Sequence, residues 1–206
     1  MSDQSEIVYK VQKKDLHKTG AVLADAFLDD PVWKEVMQDV SPEGWNAFFE
    51  SPARYCFTFG NLYAPSAGLE GLIGWVPGRF ADMTFWRILR CGSVFSSSKV
   101  GLKTMLRMKP IFKPLEAARK KNTQDLEYIY CIILGVARQN QGRGLGSRLI
   151  HTLLDDGDQQ GLPVYLETST KKNIRMYENR GFKVIDKIMH PIINLPQWCM
   201  MREPVA

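Results

Sequence analysis

The sequence predicts an α/β fold of mixed (α+β) character, with a central sheet of about six to seven strands flanked by helices. An apolar segment at 128–136 is rich in Ile and Tyr, and a glycine-rich turn and apolar residues at helical spacing follow it. A second strand pattern at 164–168 is also followed by a helical pattern. Two strand patterns at 61–64 and 69–76 are joined by Pro65-Ser66-Ala67-Gly68, which is typical of a hairpin.

The first sixty residues are predicted to add one strand and two helical regions. The pattern at 7–11 indicates the strand. Asp15 is a suitable N-cap for the helix that follows, whose apolar face comprises Leu16, Leu23, Ala26 and Phe27. Asp29-Asp30-Pro31 ends this helix. A mixed helical region rich in aromatic residues then runs to Gly60.

A long helical segment is predicted between the hairpin and the apolar strand. It occupies about 80–121 and is expected to break near Ser93–Ser98 and around Pro110 and Pro114. The polar turn Asn122-Thr123-Gln124-Asp125 closes it. Further strand patterns that would complete the sheet lie at 164–168, 187–189 and 198–202.

The turn Gln141-Gly142-Arg143-Gly144-Leu145-Gly146-Ser147 is predicted to bind an anion. Its glycines allow the backbone to approach a ligand, and the helix that follows presents unpaired N–H groups with a partial positive charge. It is not a Walker loop, because no Lys follows the glycines. It is not a dinucleotide fingerprint either, because the sixth residue is Ser147 counted from Gly142 and Leu149 counted from Gly144. A plain glycine-rich turn is the alternative.

The turn resembles Gln/Arg-x-x-Gly-x-Gly/Ala, the acyl-CoA pyrophosphate loop of the GNAT N-acetyltransferase superfamily. Downstream, Asn173-x-x-x-Tyr177-x-x-x-Gly181-Phe182 is similar to the second signature of that superfamily. Asn173 and Tyr177 are four residues apart and therefore project from one helix face, and Gly181 is suited to end that helix. The resemblance covers roughly 126–202. The segment at about 80–121 further resembles the branch that contains antibiotic-modifying enzymes such as the puromycin acetyltransferase.

The resemblance implies one GNAT domain, residues 1–206, with a helical insertion at about 80–121 and a sheet that is splayed between strands 4 and 5. It also implies acetyl-CoA as cofactor, with the acetyl group passing directly to the primary amine of a small molecule. Backbone groups beside the splay and in the glycine turn would hold the cofactor, together with two helix residues: Leu134, Gly135, Val136, Gln141, Gly142, Arg143, Gly144, Leu145, Gly146, Ser147, Asn173 and Tyr177.

One of these assignments has a further physical argument, and two have physical alternatives. Gly135, which lacks a side chain, suits a close approach by the cofactor. Arg143 and Arg148 either add charge to the loop or are simply solvated. Asn173 contacts the pantetheine arm or caps its helix, and both can hold.

Tyr177 is the candidate proton donor to the departing thiolate, and a core tyrosine is the alternative. Several GNAT enzymes place a Glu or His base on the substrate face of the fourth strand. Counting back from Val136 by the two-residue period gives Ile132 and Tyr130, neither of which can act as that base. Glu167 on the fifth strand is therefore the second catalytic candidate. Its alternatives are a structural acceptor, a water relayed through Tyr130, and an amine that binds already neutral.

The composition of the sequence indicates the expected compartment and whether a metal is bound. No stretch reaches the apolar length of a membrane span and the first residues do not begin a signal peptide, so a cytoplasmic protein without membrane contact is expected. The cysteines lack the spacing of metal ligands and are expected to be buried thiols: Cys56, Cys91, Cys131 and Cys199. No metal is expected, because no ligand cluster is formed by His17, His151 and His190.

The net charge of +5 is concentrated between Arg87 and Lys121, where Glu116 is the only acidic residue. A surface for nucleic acid or membrane is one interpretation, and a solvated helix face that attracts the anionic cofactor is the other. No nucleic-acid-binding module is recognisable, which favours the second interpretation and predicts no nucleic-acid partner. Acetylation of a protein N-terminus or lysine, and acyl-CoA binding without catalysis, are the alternative functions. A homodimer is an open alternative for the assembly.

Overall fold

A computed structural model describes residues 8–92 and 100–205. In these residues a seven-stranded sheet has the order β1-β2-β3-β4-β5-β7-β6. All neighbouring strands are antiparallel except β4 and β5, which are parallel, so the predicted mixed sheet is confirmed. The strands are β1 (Tyr9–Lys10), β2 (Asn61–Ala64), β3 (Gly71–Pro77), β4 (Ile129–Val136), β5 (Val164–Thr168), β6 (Lys183–Met189) and β7 (Pro196–Arg202).

Helices cover both faces of the sheet. One hydrophobic cluster packs α1 and α3 on one face, and a second cluster packs α6 and α7 on the other. Helix α5 contributes to the first of these faces. The helices are α1 (Leu16–Phe27), α2 (Pro31–Val36), α3 (Pro42–Phe59), α4 (Phe85–Arg90), α5 (Leu102–Asn122), α6 (Leu145–Gln160) and α7 (Lys171–Glu178).

The central strands separate soon after they begin. Strands β4 and β5 pair only through Ile129 with Val164 and through Tyr130 with Tyr165. The rest of β4 is paired with β3 alone among the described strands. An opening between β4 and β5 therefore runs along the C-terminal part of β4, as the sequence predicted.

A β-bulge in β4 changes which side chains share a face. Gly74 of β3 pairs with Ile133 and the next residue, Trp75, pairs with Cys131, so Ile132 is the extra residue. As a result Tyr130 packs in the cluster below α1 and α3, whereas Val136 packs against α6. The two-residue count from Val136 to Tyr130 was therefore wrong, because it assumed a regular strand.

Of two predicted helix signals, one was wrong and the other was confirmed in its position only. Helix α5 continues through Pro110 and Pro114 without a break. The buried side chain of Ile111, between the two prolines, shows that packing against the core stabilises this stretch. Asp15 lies at the N-cap position of α1, as predicted, but its side chain makes no capping hydrogen bond. The carboxylate instead accepts hydrogen bonds from the Gln12 amide at 3.0 Å and from the Tyr9 hydroxyl at 2.7 Å.

Two other expectations can be compared with the structure, and a third cannot. All four cysteines are buried, as predicted. None of the described helices is long and apolar enough to cross a membrane. The predicted break near Ser93–Ser98 lies outside the described residues.

Candidate active site

The glycine turn forms an open cradle beside the splayed strands. Gly142 and Gly144 have φ angles of +76° and +77°, and the space where their side chains would lie is empty. Gly144 is the N-cap of α6 and provides no side-chain cap, so the N–H groups of the first turn remain available to a ligand. An anionic diphosphate matches both the space and the donors.

The backbone of Leu134, Gly135 and Val136 lies along the opening. These residues pair with β3 on one side, and none of the described strands pairs with them on the side of β5. Groups that point away from β3 are therefore placed to bind a pantetheine amide. The interpretation of Gly135 needs correction, however. A Cβ there would lie only 2.9 Å from Ala26 and 3.0 Å from Phe27 of α1, so helix packing requires this glycine.

The polar side chains around the turn have different partners. Gln141 Nε2 donates to the carbonyl of Val136 at 3.0 Å and folds the turn back onto β4. Arg143 is exposed and donates to Asn140 Oδ1 at 3.2 Å. Arg148 donates instead to the carbonyl of Pro65 in the hairpin turn, so it is directed away from the cradle.

Arg180 is a neighbour of the cradle that the sequence analysis missed. Its guanidinium donates to the Ser147 hydroxyl in the first turn of α6 and to the Met176 carbonyl at 2.6 Å. Arg180 directly precedes Gly181 in the second motif, which fixes no residue type at this position. Only its place after the helix therefore indicated a role in the site. Its cationic group therefore lies at the edge of the predicted pyrophosphate site.

Helix α7 places Tyr177 next to the opening. Its N-cap is Thr170, which accepts a hydrogen bond from the Asn173 amide at 3.2 Å, so the alternative of Asn173 as the helix cap was wrong. Tyr177 is buried in the same cluster as Cys131 of β4, and its ring lies 5.5 Å from that of Phe182. Burial raises the pKa of the Tyr177 phenol well above its ordinary value. The phenol is consequently protonated at neutral pH.

On the opposite face, Glu167 forms a partly buried carboxylate site. Tyr130 donates its hydroxyl to Glu167 Oε2 at 2.8 Å. Burial raises the pKa of Glu167 from 4.5 to about 7, and the Tyr130 hydrogen bond and the charge of Arg119 oppose this rise. Oε1 is shielded from solvent and has no hydrogen-bond partner in the described part of the chain. The Tyr165 hydroxyl lies near this carboxylate, also without a hydrogen bond of normal geometry.

A buried arginine from the helical segment completes this face. Arg119 of α5 is 6% exposed and forms an ion pair with Asp82 at 2.7 Å. Its Nη1 donates to the Tyr128 hydroxyl at 3.3 Å, and its guanidinium lies 5.1 Å from the centre of the Tyr130 ring. Neither Arg119 nor Asp82 was predicted as a site residue from the sequence, because within a basic segment nothing distinguishes one buried arginine from its solvated neighbours.

The start of α2 brings aromatic residues close to the end of β5. Asp30 Oδ2 accepts a hydrogen bond from the Ser169 hydroxyl, two residues beyond Glu167. Trp33 packs 5.1 Å from Phe48 and 5.9 Å from Phe112 of α5. Across the described residues there is no group of three or more His, Cys, Asp or Glu side chains that is arranged to hold a metal ion.

Comparison with known proteins identifies the family. The signature of the acetyltransferase (GNAT) family matches residues 110–182. The chain is 30% identical over 205 residues to an uncharacterized N-acetyltransferase of Schizosaccharomyces pombe, a match that covers 95% of this chain and 82% of the relative.

Solved structures share the fold at low sequence identity. A histone acetyltransferase and related acetyltransferase from Corynebacterium glutamicum superposes with a TM-score of 0.65 at 18% identity, over 97% of this chain and 96% of that one. Arylalkylamine N-acetyltransferase 2 of Aedes aegypti gives 0.63 at 14% identity, over 96% and 98%. An agmatine N-acetyltransferase gives 0.58 at 15% identity, also over 96% and 98%. With its two motifs, its splayed sheet and its fission-yeast relative, this chain belongs to the GNAT family of N-acetyltransferases, which use acetyl-CoA.

Proposed function

We propose that this enzyme transfers the acetyl group of acetyl-CoA to the primary amine of a small molecule, with Glu167 as the base and Tyr177 as the proton donor. The observation that carries the proposal is the state of Glu167. One of its carboxylate oxygens is fixed by Tyr130. The other is shielded from solvent and makes no hydrogen bond of normal geometry among the described residues, although the Tyr165 hydroxyl lies near the carboxylate. A buried acceptor of this kind matches the N–H group of an incoming amine.

The proposed chemistry uses the two faces of the sheet. As the amine nitrogen bonds to the thioester carbonyl carbon, Glu167 takes the proton that the nitrogen loses. As the bond to sulfur breaks, Tyr177 gives its proton to the thiolate. A carboxyl group with a pKa of about 7 is ionised in a large fraction of molecules at neutral pH and is basic enough to accept that proton. The Tyr130 hydrogen bond keeps the carboxylate oriented.

The backbone assignments complete the proposed site. Residues 134–136 would pair with the pantetheine along the opening, Asn173 would contact its arm, and the amides from Gln141 through Ser147 would hold the pyrophosphate. The open cradle at Gly142 and Gly144 supports this arrangement.

A small acceptor is favoured over a peptide by the helical insertion at about 80–121. Helix α5 lies over the face that carries Tyr130 and Glu167, and the exposed fraction of Arg119 is only 6%. A covered face suits an enclosed ligand, whereas a peptide needs an open groove. The resemblance of this insertion to puromycin-type enzymes, and two structural neighbours named for arylalkylamines and agmatine, point the same way. We therefore propose one domain over residues 1–206 whose insertion shapes the choice of acceptor.

An acceptor panel combined with Glu167→Gln tests the proposal. We expect thiol release from acetyl-CoA with arylalkylamines or other small amines and little with peptides that carry a free N-terminus. Glu167→Gln should lower kcat about 100- to 1000-fold and abolish the rise in activity through pH 7, because the amide cannot accept the proton. The affinity for acetyl-CoA, measured by calorimetry, should not change.

Glu127→Gln is the matched control, because Glu127 is exposed and precedes β4. This variant should keep the activity and pH profile of the wild type. Turnover of peptides alone would establish the alternative of a protein acetyltransferase. Binding of acetyl-CoA without thiol release for any acceptor would establish a non-catalytic domain. An unaltered pH profile in Glu167→Gln would remove the base assignment.

A further inference from the structure

We propose that Arg119, anchored by Asp82, is a positioning residue of the active site that orients Tyr130 and, through it, the Glu167 carboxylate. This inference rests on the proposed role of Glu167 as the base. It gives the helical insertion a second task besides covering the acceptor, because both Asp82 and Arg119 come from that insertion.

The anchor itself is firmly held. Tyr55, a buried residue of α3, donates its hydroxyl to the main-chain carbonyls of Phe80 at 2.7 Å and Asp82 at 3.2 Å. Arg87 of α4 donates to the same Asp82 carbonyl at 2.9 Å. The Asp82 carboxylate can therefore fix the Arg119 guanidinium, which it meets at 2.7 Å. A continuous series of contacts leads from the core through Asp82 to Arg119.

From Arg119 the contacts continue to the base. The guanidinium lies over the Tyr130 ring at 5.1 Å, and the hydroxyl of that ring is 2.8 Å from Glu167 Oε2. A cation over the ring face restrains the ring and draws electron density from the phenol, which strengthens its hydrogen bond to the carboxylate. An apolar side chain of similar size would fill the same volume, so packing alone does not require a cation here.

Arg119 also differs in charge from the other groups that face Glu167. Burial raises the pKa of Cys131 to about 12 and that of Cys199 to about 11, and it raises the pKa values of Tyr130 and Tyr165 as well. All four of these groups are therefore neutral at pH 7. The titratable groups that face the carboxylate are Tyr130 and Cys131 of β4, Tyr165 of β5, Cys199 of β7 and Arg119 of α5.

The sign of the expected effect follows from this arrangement. The positive charge of Arg119 favours the ionised carboxylate and so lowers the pKa of Glu167. Its removal should raise that pKa further. The base then loses its ionised form at a higher pH, and the acidic side of the kcat/KM profile should move upward.

The test compares Arg119→Met and Arg119→Lys across the pH range with the best acceptor from the panel. Arg119→Met should move the acidic side of the kcat/KM profile upward by about one pH unit, so that about 10-fold more activity is lost at pH 6 than at pH 9. Arg119→Lys keeps the charge and should leave the profile nearly in place. It should still lower kcat several-fold at unchanged KM, because an ammonium group cannot stack on Tyr130 while bridging Asp82 and Tyr128.

Arg107→Met is the matched control. Arg107 also lies on α5 and also joins it to another element, donating to the Val36 carbonyl at 3.3 Å and to Asp39 at 2.9 Å, but it contacts neither Tyr130 nor Glu167 among its described partners. The pH profile of kcat/KM for Arg107→Met should coincide with that of the wild type. An equal loss at every pH in Arg119→Met would reduce Arg119 to a structural role. If Arg119→Met does not fold, wild-type kcat in Arg119→Lys would overturn the inference by itself.

The two proposals can fail separately. If the acidic side of the profile disappears in Glu167→Gln but does not move in Arg119→Met, Glu167 stays the base and the inference about Arg119 is wrong. If the acidic side persists in Glu167→Gln, the base assignment is wrong and the inference falls with it.

Discussion

The two sides of the opening between β4 and β5 are built in different ways. On the side of the glycine turn, the main chain provides the site, with Gly142 and Gly144 exposed and the space around them empty. On the acceptor side, the site consists of partly or fully buried side chains from three elements, among them Tyr130, Glu167 and Arg119. A diphosphate needs N–H groups and space, which one short segment supplies. Proton transfer needs side chains at fixed distances, which only the folded chain brings together.

The largest effect on cofactor binding should come from closing the cradle. Gly144→Glu introduces a side chain at a φ of +77° and a negative charge where the diphosphate is expected. We expect the Kd for acetyl-CoA, measured by calorimetry, to rise by about 100-fold or more. The acceptor side should be unaffected, because none of its described contacts involves this turn.

Gly161→Glu is the control for strain and stability. Gly161 has a φ of +64°, also has empty space around it, and lies at the other end of the same helix, α6. Both variants should lose a similar amount of thermal stability, but only Gly144→Glu should lose acetyl-CoA. Loss of binding in both would trace the effect to the fold, and loss in neither would show that the turn is not the cradle.

The same difference explains what could be predicted from the sequence. The glycine turn and the motif from Asn173 to Phe182 are local, so their residue types and spacing were enough to predict a strand, a turn and a helix. The separation of β4 and β5 then followed from the resemblance. The family assignment depended on these segments and is confirmed by the relatives.

The acceptor side could be predicted only in part, because Glu167 and Tyr130 were named from the sequence but their surroundings were not. One extra residue at Ile132 reversed the faces of β4, and no feature of a uniformly apolar segment marks such a bulge. The ion pair of Asp82 with Arg119 joins residues that are far apart in the chain. Gly135 looked like a residue that admits a ligand, whereas the structure shows that α1 packs against it. In each case the cause lies in the tertiary structure and produces no periodic pattern in the sequence.

Tyr177→Phe would sharpen the comparison, because Tyr177 is the side chain to which we assign chemistry on the cofactor side. The phenylalanine ring should pack against Phe182 as the tyrosine ring does, so the fold should be unchanged. We expect kcat to fall about 10- to 100-fold while the Kd for acetyl-CoA stays the same, because only a proton donor is removed. Single-turnover thiol release measures the step directly.

Tyr63→Phe provides the matched control. Tyr63 packs in the same cluster, stacked 5.4 Å from Trp75 of β3, but it lies on β2 rather than beside the opening. Removal of the Tyr63 hydroxyl should leave both kcat and the Kd for acetyl-CoA unchanged. If Tyr177→Phe weakens acetyl-CoA binding and leaves kcat intact, Tyr177 is not the proton donor. The cofactor side then serves binding alone, and proton transfer belongs only to the acceptor side.

The smallest effect should come from Arg143→Gln. Arg143 is exposed and its described contact is a hydrogen bond to Asn140, so its charge is well solvated and its contribution to anion binding should be modest. We expect the Kd for acetyl-CoA to rise about 3-fold at low ionic strength, and this difference should vanish above about 0.5 M salt. Arg138→Gln is the control, since Asp25 holds Arg138 at 2.9 Å and already offsets its charge. A large loss that salt does not relieve would mean that side chains, not the main chain, hold the diphosphate, and the two sides of the opening would then be built alike.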